Sequence, residues 1–284
     1  MNAPQRLRAL LAKPGLIVMP AVWDGITAKL AAEAGFETAF LSGSCCAASR
    51  LGGPDLDLIS FGEMFDSFTM VHNAAPHTLI LADGDHGYGN AMNVQRTVAA
   101  YGRAGAAAVL IEDKITPRAL TAVGKPCIPR EEARMKIRAA VAAAKESGIL
   151  VLARTDCRPT AGMDEALARI EMYVAEGADI VFFDSPVDDD EIRRSIAAAK
   201  GTPMFAVLSP GGNNTPSIAH AETLGLKIGT FPTIMLSPAI AAMKSGLAAL
   251  QAGQSAAATA LPAAEHRATV GYGAYEEHAK QFIA

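Results

Sequence analysis

The sequence predicts an α/β fold, a single (β/α)8 barrel of TIM type, on three observations. Eight short apolar runs recur along the 284 residues, helix-like segments separate them, and the runs are apolar on both faces. The runs open near Leu16 (LIVMP), Thr38 (TAFLS), Thr78 (TLILAD), Ala108 (AVLIED), Leu150 (LVLART), Asp179 (DIVFFD), Pro203 (PMFAVL) and Lys227 (KIGTFP). Between them, 24–34, 94–104, 130–145, 163–175 and 191–199 read as helices, with Gly35, Gly105, Gly148 and Gly177 at C-cap positions. Strand–helix alternation makes the strands parallel, and eight such units favour a closed barrel over an open doubly wound sheet.

Composition narrows the class. Apolar residues at 50% and charged residues at 19% exclude a disordered, collagen-like or coiled-coil chain. The net charge of −4, without a basic cluster long enough to track phosphates, predicts no nucleic-acid partner. No 18-residue uninterrupted apolar stretch predicts no membrane span. Cys45, Cys46, Cys127 and Cys157 include two sequence neighbours poorly placed to bridge each other, and the first residues lack a signal-peptide pattern, so a reducing, cytoplasmic setting is expected.

One domain is expected over 1–284, with 235–284 as a closing helix and helical arm. That last segment reads either as a terminal helix packed on the barrel or as an arm reaching a neighbouring subunit. Strand starts two and three lie 40 residues apart and starts four and five 42 apart, against 22 to 30 elsewhere. Segments 42–57 and 114–129 are therefore the lid candidates, since the loops after strands carry the chemistry of such barrels.

The polar residues at the strand carboxyl ends are Ser42-Gly43-Ser44, Asp83-Gly84-Asp85-His86, Glu112-Asp113-Lys114, Arg154-Thr155-Asp156 and Asp184-Ser185. Six carboxylates in one small mouth repel unless a divalent cation lies among them, and hard oxygen ligands suit Mg2+ or Mn2+. Asp113, Asp156 and Asp184 read equally well as caps of the following helices. The run His86-Gly87-Tyr88-Gly89-Asn90 permits a sharp turn beside a ligand. Ser42, Gly43 and Ser44 offer hydroxyls and backbone N–H groups as a cradle for a carboxylate or phosphonate, against the plainer reading as a turn. Arg154, ending an apolar strand, needs an anion, either a structural carboxylate or one belonging to a substrate. The other histidines show no ligand spacing, the glycines at 211–212 lack the rest of a phosphate loop, and Cys45 and Cys46 read as small apolar fillers.

These residues carry a resemblance. PAVWDGITAKLAAEAGFE, LSGS with GGPDLDLIS, DGDHGYGNAMNVQRTV, IEDK and LARTD are together similar to the isocitrate lyase / phosphoenolpyruvate mutase superfamily over nearly the whole chain. The resemblance implies a barrel whose last helix is exchanged between subunits of a homodimer or homotetramer, with Mg2+ holding an α-keto or α-hydroxy acid. It implies that Asp83 binds the metal and that Asp55, Asp85 and Glu112 hold its water ligands. Ser42, Gly43, Ser44 and Arg154 would receive the substrate carboxylate, and Trp23 would line the pocket. Asp184 stands where lyases carry a glutamate.

Departures bear on the subfamily. Isocitrate-type lyases carry Lys-Lys/Arg-Cys-Gly-His after the fourth strand, where this chain reads Lys114-Ile115-Thr116-Pro117-Arg118-Ala119-Leu120, and Cys127 lacks the Gly-His that would make it a substitute. Leu208 and Phe231-Pro232-Thr233-Ile234 replace polar residues that grip a second carboxylate in those lyases. The Asn/Thr-Ser continuation of phosphonate-processing members is missing. His86 within Asp-His-Gly-Tyr-Gly-Asn is most similar to the oxaloacetate decarboxylase branch.

The implied reaction is decarboxylation of oxaloacetate to pyruvate and CO2 through a metal-stabilised enolate, with Arg154 orienting the substrate and Tyr88, His86 or a metal-bound water returning the proton. The alternatives are cleavage of a substituted malate or other 2-hydroxy acid, with Lys114 and Arg118 as acid–base candidates, phosphonopyruvate-type carbon–phosphorus chemistry, and a barrel that binds a keto acid without catalysis.

Overall fold

The computed structural model describes residues 1–117, 120, 124–208, 216–255 and 258–283. These form two compact units, 1–233 and 234–284. The first runs α1 (Ala3–Leu11), β1 (Ile17–Val22), α2 (Gly25–Glu33), β2 (Thr38–Leu41), α3 (Gly43–Leu51), α4 (Phe61–Ala74), β3 (Leu79–Asp83), α5 (Ala91–Arg103) and β4 (Ala108–Glu112). It continues with α6 (Arg130–Ser147), β5 (Leu150–Thr155), α7 (Arg158–Ala161), α8 (Met163–Ala175), β6 (Ile180–Phe183), α9 (Asp189–Ala198), β7 (Met204–Val207), α10 (Ile218–Leu224) and β8 (Ile228–Phe231). The strands pair in parallel in sequence order and β8 closes on β1, so the barrel read from the sequence is the one observed.

Side-chain parity fills the barrel. Alternate residues of a strand face one side, and the inward set here includes Met19, Phe40, Leu81, Leu110, Leu152, Phe182, Phe205 and Ile228, all buried in one cluster. Leu7 joins it from α1, whose Arg6 and Arg8 donate to the carbonyls of His77 and Gly148, residues that precede β3 and β5. Helix α1 therefore seals the amino-terminal end. Helix starts follow local chemistry: Asp24, Ser60 and Asn90 each form a reciprocal capping box, and all four glycines expected at C-caps have φ between 72° and 95°.

Both lid candidates carry more order than a loop. In 42–57 the chain turns at once into α3, because Ser42 accepts a hydrogen bond from Cys45 N as its N-cap, leaving only 52–57 irregular. The described ends of 114–129 meet: Lys114 pairs antiparallel with Cys127, and Ile115 N donates to Pro126 O at 2.9 Å. Arg118 lies outside the described residues, as does 211–214.

The second unit holds α11 (Leu236–Gln251), α12 (Ala263–Val270) and α13 (Tyr272–Ala279). None of these helices has a buried residue, and Ile240, Met243, Leu247 and Leu250 form an exposed apolar stripe along α11. No helix among the described residues is long and apolar enough to cross a membrane.

Candidate active site

The parity that fills the core also selects the mouth. Two residues beyond Leu81, Leu110, Leu152 and Phe182 stand Asp83, Glu112, Arg154 and Asp184, and Trp23 and Ser42 follow Ala21 and Phe40 in the same way. Glu112 and Arg154 are register partners on adjacent strands. At Gly84 an added Cβ would fall 2.5 Å from Leu110 O, so glycine lets the β3–β4 ladder continue until Glu112 N donates to Asp85 O at 2.9 Å. Asp85 and Tyr88 then take left-handed φ values of 46° and 60°, strained conformations of the kind that gather at functional sites.

One side of the mouth is acidic. Asp83 accepts from Asp85 N and from Gly43 N, each at 3.1 Å, and Asp85 accepts from Tyr88 Oη at 2.6 Å. A Cβ on Gly43 would sit 2.9 Å from Asp83 Oδ2 and 3.3 Å from Asp85 Oδ1, so glycine is needed beside both carboxylates. Glu112 Oε1 lies 2.9 Å from Lys114 Nζ at a geometry that leaves the oxygen without a directed hydrogen bond. Burial raises Asp83, and burial reinforced by Asp83 carries Asp85 up to about 7. Burial, against the pull of Arg154, carries Glu112 to about 8. Carboxylates held this far from water need a cation to remain charged.

The other side already has its cations. Arg154 donates Nε and Nη2 to Asp156, both at 2.7 Å, approaches Glu112 Oε2 and Asp184 Oδ1 at 3.4 Å, and lies over the Phe182 ring. Lys125 Nζ bridges Asp156 Oδ1 at 2.9 Å and Asp184 Oδ2 at 2.5 Å. Burial pushes Asp156 up, but Arg154 and Lys125 outweigh it and hold the carboxyl below its usual range.

Beside Arg154 lies a cavity lined by Asp55, Asp57, Lys114, Lys125 and Arg154 among others. A roomier cavity lies between β6, β7 and α9, but among the described residues its lining is chiefly apolar with one carboxylate, Asp184, and no cation. The smaller cavity is the candidate active site.

Of the expected residues, Asp55 and Arg154 line this cavity, Asp83 accepts from Gly43 and Asp85, Asp85 accepts from Tyr88, and Glu112 stands 3.4 Å from Arg154; four readings are corrected. Asp113 follows inward-facing Glu112 and so turns outward, accepting from Arg169 Nη1 at 3.0 Å, Tyr173 Oη at 2.8 Å and Asp156 N at 2.9 Å. It belongs to the wall behind the site and caps no helix. Asp156 and Asp184 are ion-pair partners, while Asp188 caps α9. The cradle at 42–44 is partly spent, because Gly43 N already serves Asp83 and the Ser42 and Ser44 hydroxyls hydrogen-bond each other at 3.0 Å. His86 lines an adjoining cavity on the far side of Lys114, with Nδ1 unpaired, and burial followed by Lys136 lowers it to about 4, a neutral imidazole near pH 7.

Lys125 and Asp57, which pairs with Lys114 at 3.4 Å, were not foreseen. Their only sequence signal is membership of the two long connections. Burial raises the thiols of Cys45 and Cys46, the latter to about 12, in keeping with their reading as fillers.

The fit to a metal can be judged on these groups. Among the described residues no three His, Cys, Asp or Glu side chains close into a ready-made cage. Mg2+ does not require one, since it binds through one or two carboxylates and keeps several waters. An all-oxygen set with burial-raised acids and an undirected Glu112 oxygen fits that ion.

The sequence profile described as phosphoenolpyruvate phosphomutase matches residues 7–251. The chain is 36% identical to 2,3-dimethylmalate lyase of Eubacterium barkeri over 246 residues, 86% of this chain and 84% of that protein. It is 36% identical to oxaloacetate decarboxylase of Paraburkholderia xenovorans over 207 residues, 72% and 69% of the two. The structure of oxaloacetate acetylhydrolase with 3,3-difluorooxalacetate superposes with a TM-score of 0.92 at 30% identity, covering 99% of this chain and 97% of that one. A phosphonopyruvate hydrolase complex with oxalate and Mg2+ superposes at 0.86 with 26% identity, covering 100% of each.

Proposed function

We propose that this chain, which belongs to the phosphoenolpyruvate phosphomutase family of the isocitrate lyase / phosphoenolpyruvate mutase superfamily of lyases and mutases, decarboxylates oxaloacetate to pyruvate and CO2 with Mg2+. The observation that carries this reading is the set of buried carboxylates at the mouth, Asp83 joined to Asp85 and Glu112 standing 3.4 Å from Arg154, whose guanidinium lines a cavity with no cysteine among its described lining residues.

Asp83, with Asp85, Glu112 and Asp55, is the set that would hold the ion. When bound, Mg2+ would supply Lewis acidity to the C2 carbonyl oxygen and so favour loss of the C4 carboxylate, β to it, as CO2. Arg154 binds the substrate carboxylate through Nη1, the edge of its guanidinium without a protein acceptor among the described residues. Asp156 fixes that guanidinium by its bidentate grip. Buried Trp23, from the end of β1, helps to exclude water. Tyr88 Oη holds a proton against Asp85 and is kept protonated by burial, which makes it the candidate donor to C3; His86, neutral and facing the adjoining cavity, is a poorer one.

The match to 2,3-dimethylmalate lyase over 86% of the chain favours one competing reading, cleavage of a substituted malate, with Lys114 between Glu112 and Asp57 as its acid–base group. Product analysis separates the two. Mg2+-dependent pyruvate and CO2 from oxaloacetate, above the metal-catalysed background, is the expected result. Failure there, together with cleavage of 2-hydroxy acids, would replace the proposal. A homodimer or homotetramer using the apolar stripe of α11 belongs to the same reading and is tested by light scattering, with a monomer as the opposing result.

A further inference from the structure

We propose that Lys125 is a positioning residue that sets the aim of Arg154 toward the substrate carboxylate, an inference that rests on the substrate class proposed above. Arg154 is flanked by three carboxylates, those of Asp156, Asp184 and Glu112, which compete for one guanidinium. The ammonium of Lys125 engages an oxygen of Asp156 and an oxygen of Asp184, at 2.9 and 2.5 Å. Asp184 therefore stays 3.4 Å from Arg154 Nη2, outside hydrogen-bond contact, while Asp156 keeps its two 2.7 Å bonds.

Without the ammonium, Asp184, 12% exposed, would keep only the neutral hydrogen bond from Ser185 Oγ at 2.6 Å, and the nearest cation left to it among the described residues is Arg154. The guanidinium would swing toward Asp184, and Nη1 would leave the cavity. The backbone of Lys125 is placed for this task. Its carbonyl accepts from Thr160 Oγ1 at 3.3 Å, and the next residue, Pro126, accepts from Ile115 N, so the lysine is anchored between α7 and the outgoing arm of its loop. Lys125 thus ties the meeting ends of that loop to a substrate-ready arginine.

The experiment uses the full chain with Mg2+ and compares Lys125→Met and Lys125→Arg with the unsubstituted protein. Steady-state kinetics on oxaloacetate are measured beside calorimetric affinity for oxalate. For Lys125→Met the expectation is a rise of roughly tenfold or more in KM and in the oxalate Kd with kcat within about threefold, because a carboxylate grip is made in ground and transition states alike. Lys125→Arg should return most of the loss, which a mere gap in packing would not. A thermal midpoint near the original shows that the fold is kept; if Lys125→Met does not fold, Lys125→Gln takes its place. Unchanged KM and oxalate Kd overturn the proposal, as does equal damage in the Met and Arg variants. If the unsubstituted protein does not turn over oxaloacetate, yet oxalate affinity falls in Lys125→Met and returns in Lys125→Arg, the substrate reading fails and the role of Lys125 stands.

Discussion

The two halves of the barrel mouth use the same side chain for opposite ends. On the side of β3 and β4, Asp83 and Asp85 are buried with no cation in ion-pair contact among the described residues, burial at Glu112 outweighs Arg154 and Lys114, and all three carboxyls are pushed upward. On the side of β5 and β6, Asp156 is buried as deeply, yet Arg154 and Lys125 hold it down. Burial alone does not decide what a carboxylate does; the cation that the fold provides or withholds decides it. On the proposed reading the first half receives a charge, whereas the second holds one still.

The sharpest test of that contrast sets one amide substitution in each half. Asp83→Asn should lower kcat/KM by on the order of a thousandfold, about 4 kcal/mol of lost transition-state stabilisation, while leaving the metal-free protein as stable as before or more so. Asp156→Asn should instead cost about 3 kcal/mol of folding free energy, since it removes the fully buried carboxylate that pairs with half-buried Arg154 and Lys125. Urea unfolding without metal measures both, and a loss of stability in Asp83→Asn as large as that in Asp156→Asn would erase the distinction. Arg154→Lys keeps the charge but gives up the planar fork, so KM should rise roughly ten- to a hundredfold with a smaller change in kcat.

The smallest effect lies behind the second half. Arg130 and Arg169 both bind Glu165, whose carboxyl is lowered to about 2, with the Arg130 hydrogen bond as the main cause. A depressed acid adds stability that is present above its unfolded value near 4 and is lost as pH falls through about 2. Glu165→Gln should therefore flatten the loss of stability between pH 4 and pH 2 and change little at pH 7. Urea midpoints across that window check it, and an unaltered acid slope would rule the contribution out.

The strand ends were legible because parity is a local property. Leu81, Leu110 and Leu152 in the core place Asp83, Glu112 and Arg154 at the mouth without any knowledge of the loops. The same rule turns Asp113 outward, which the expectation of six converging acids overlooked. Lys125 was not legible, because its reach depends on how the ends of segment 114–129 meet, and that meeting is set by the Lys114–Cys127 pairing and by Arg169 donating to Ile128 O at 2.8 Å. The use of Gly43 N by Asp83 was hidden for a similar reason: it joins residues 40 apart in sequence.

The central claim is that the acids of β3 and β4 form a vacancy of charge that Mg2+ fills. Calorimetric titration of Mg2+ into the unsubstituted protein and into Asp83→Ala measures this directly. Saturable binding at about one ion per chain in the first, and its loss in the second, is the predicted result; equal binding in both, or none in either, would contradict it.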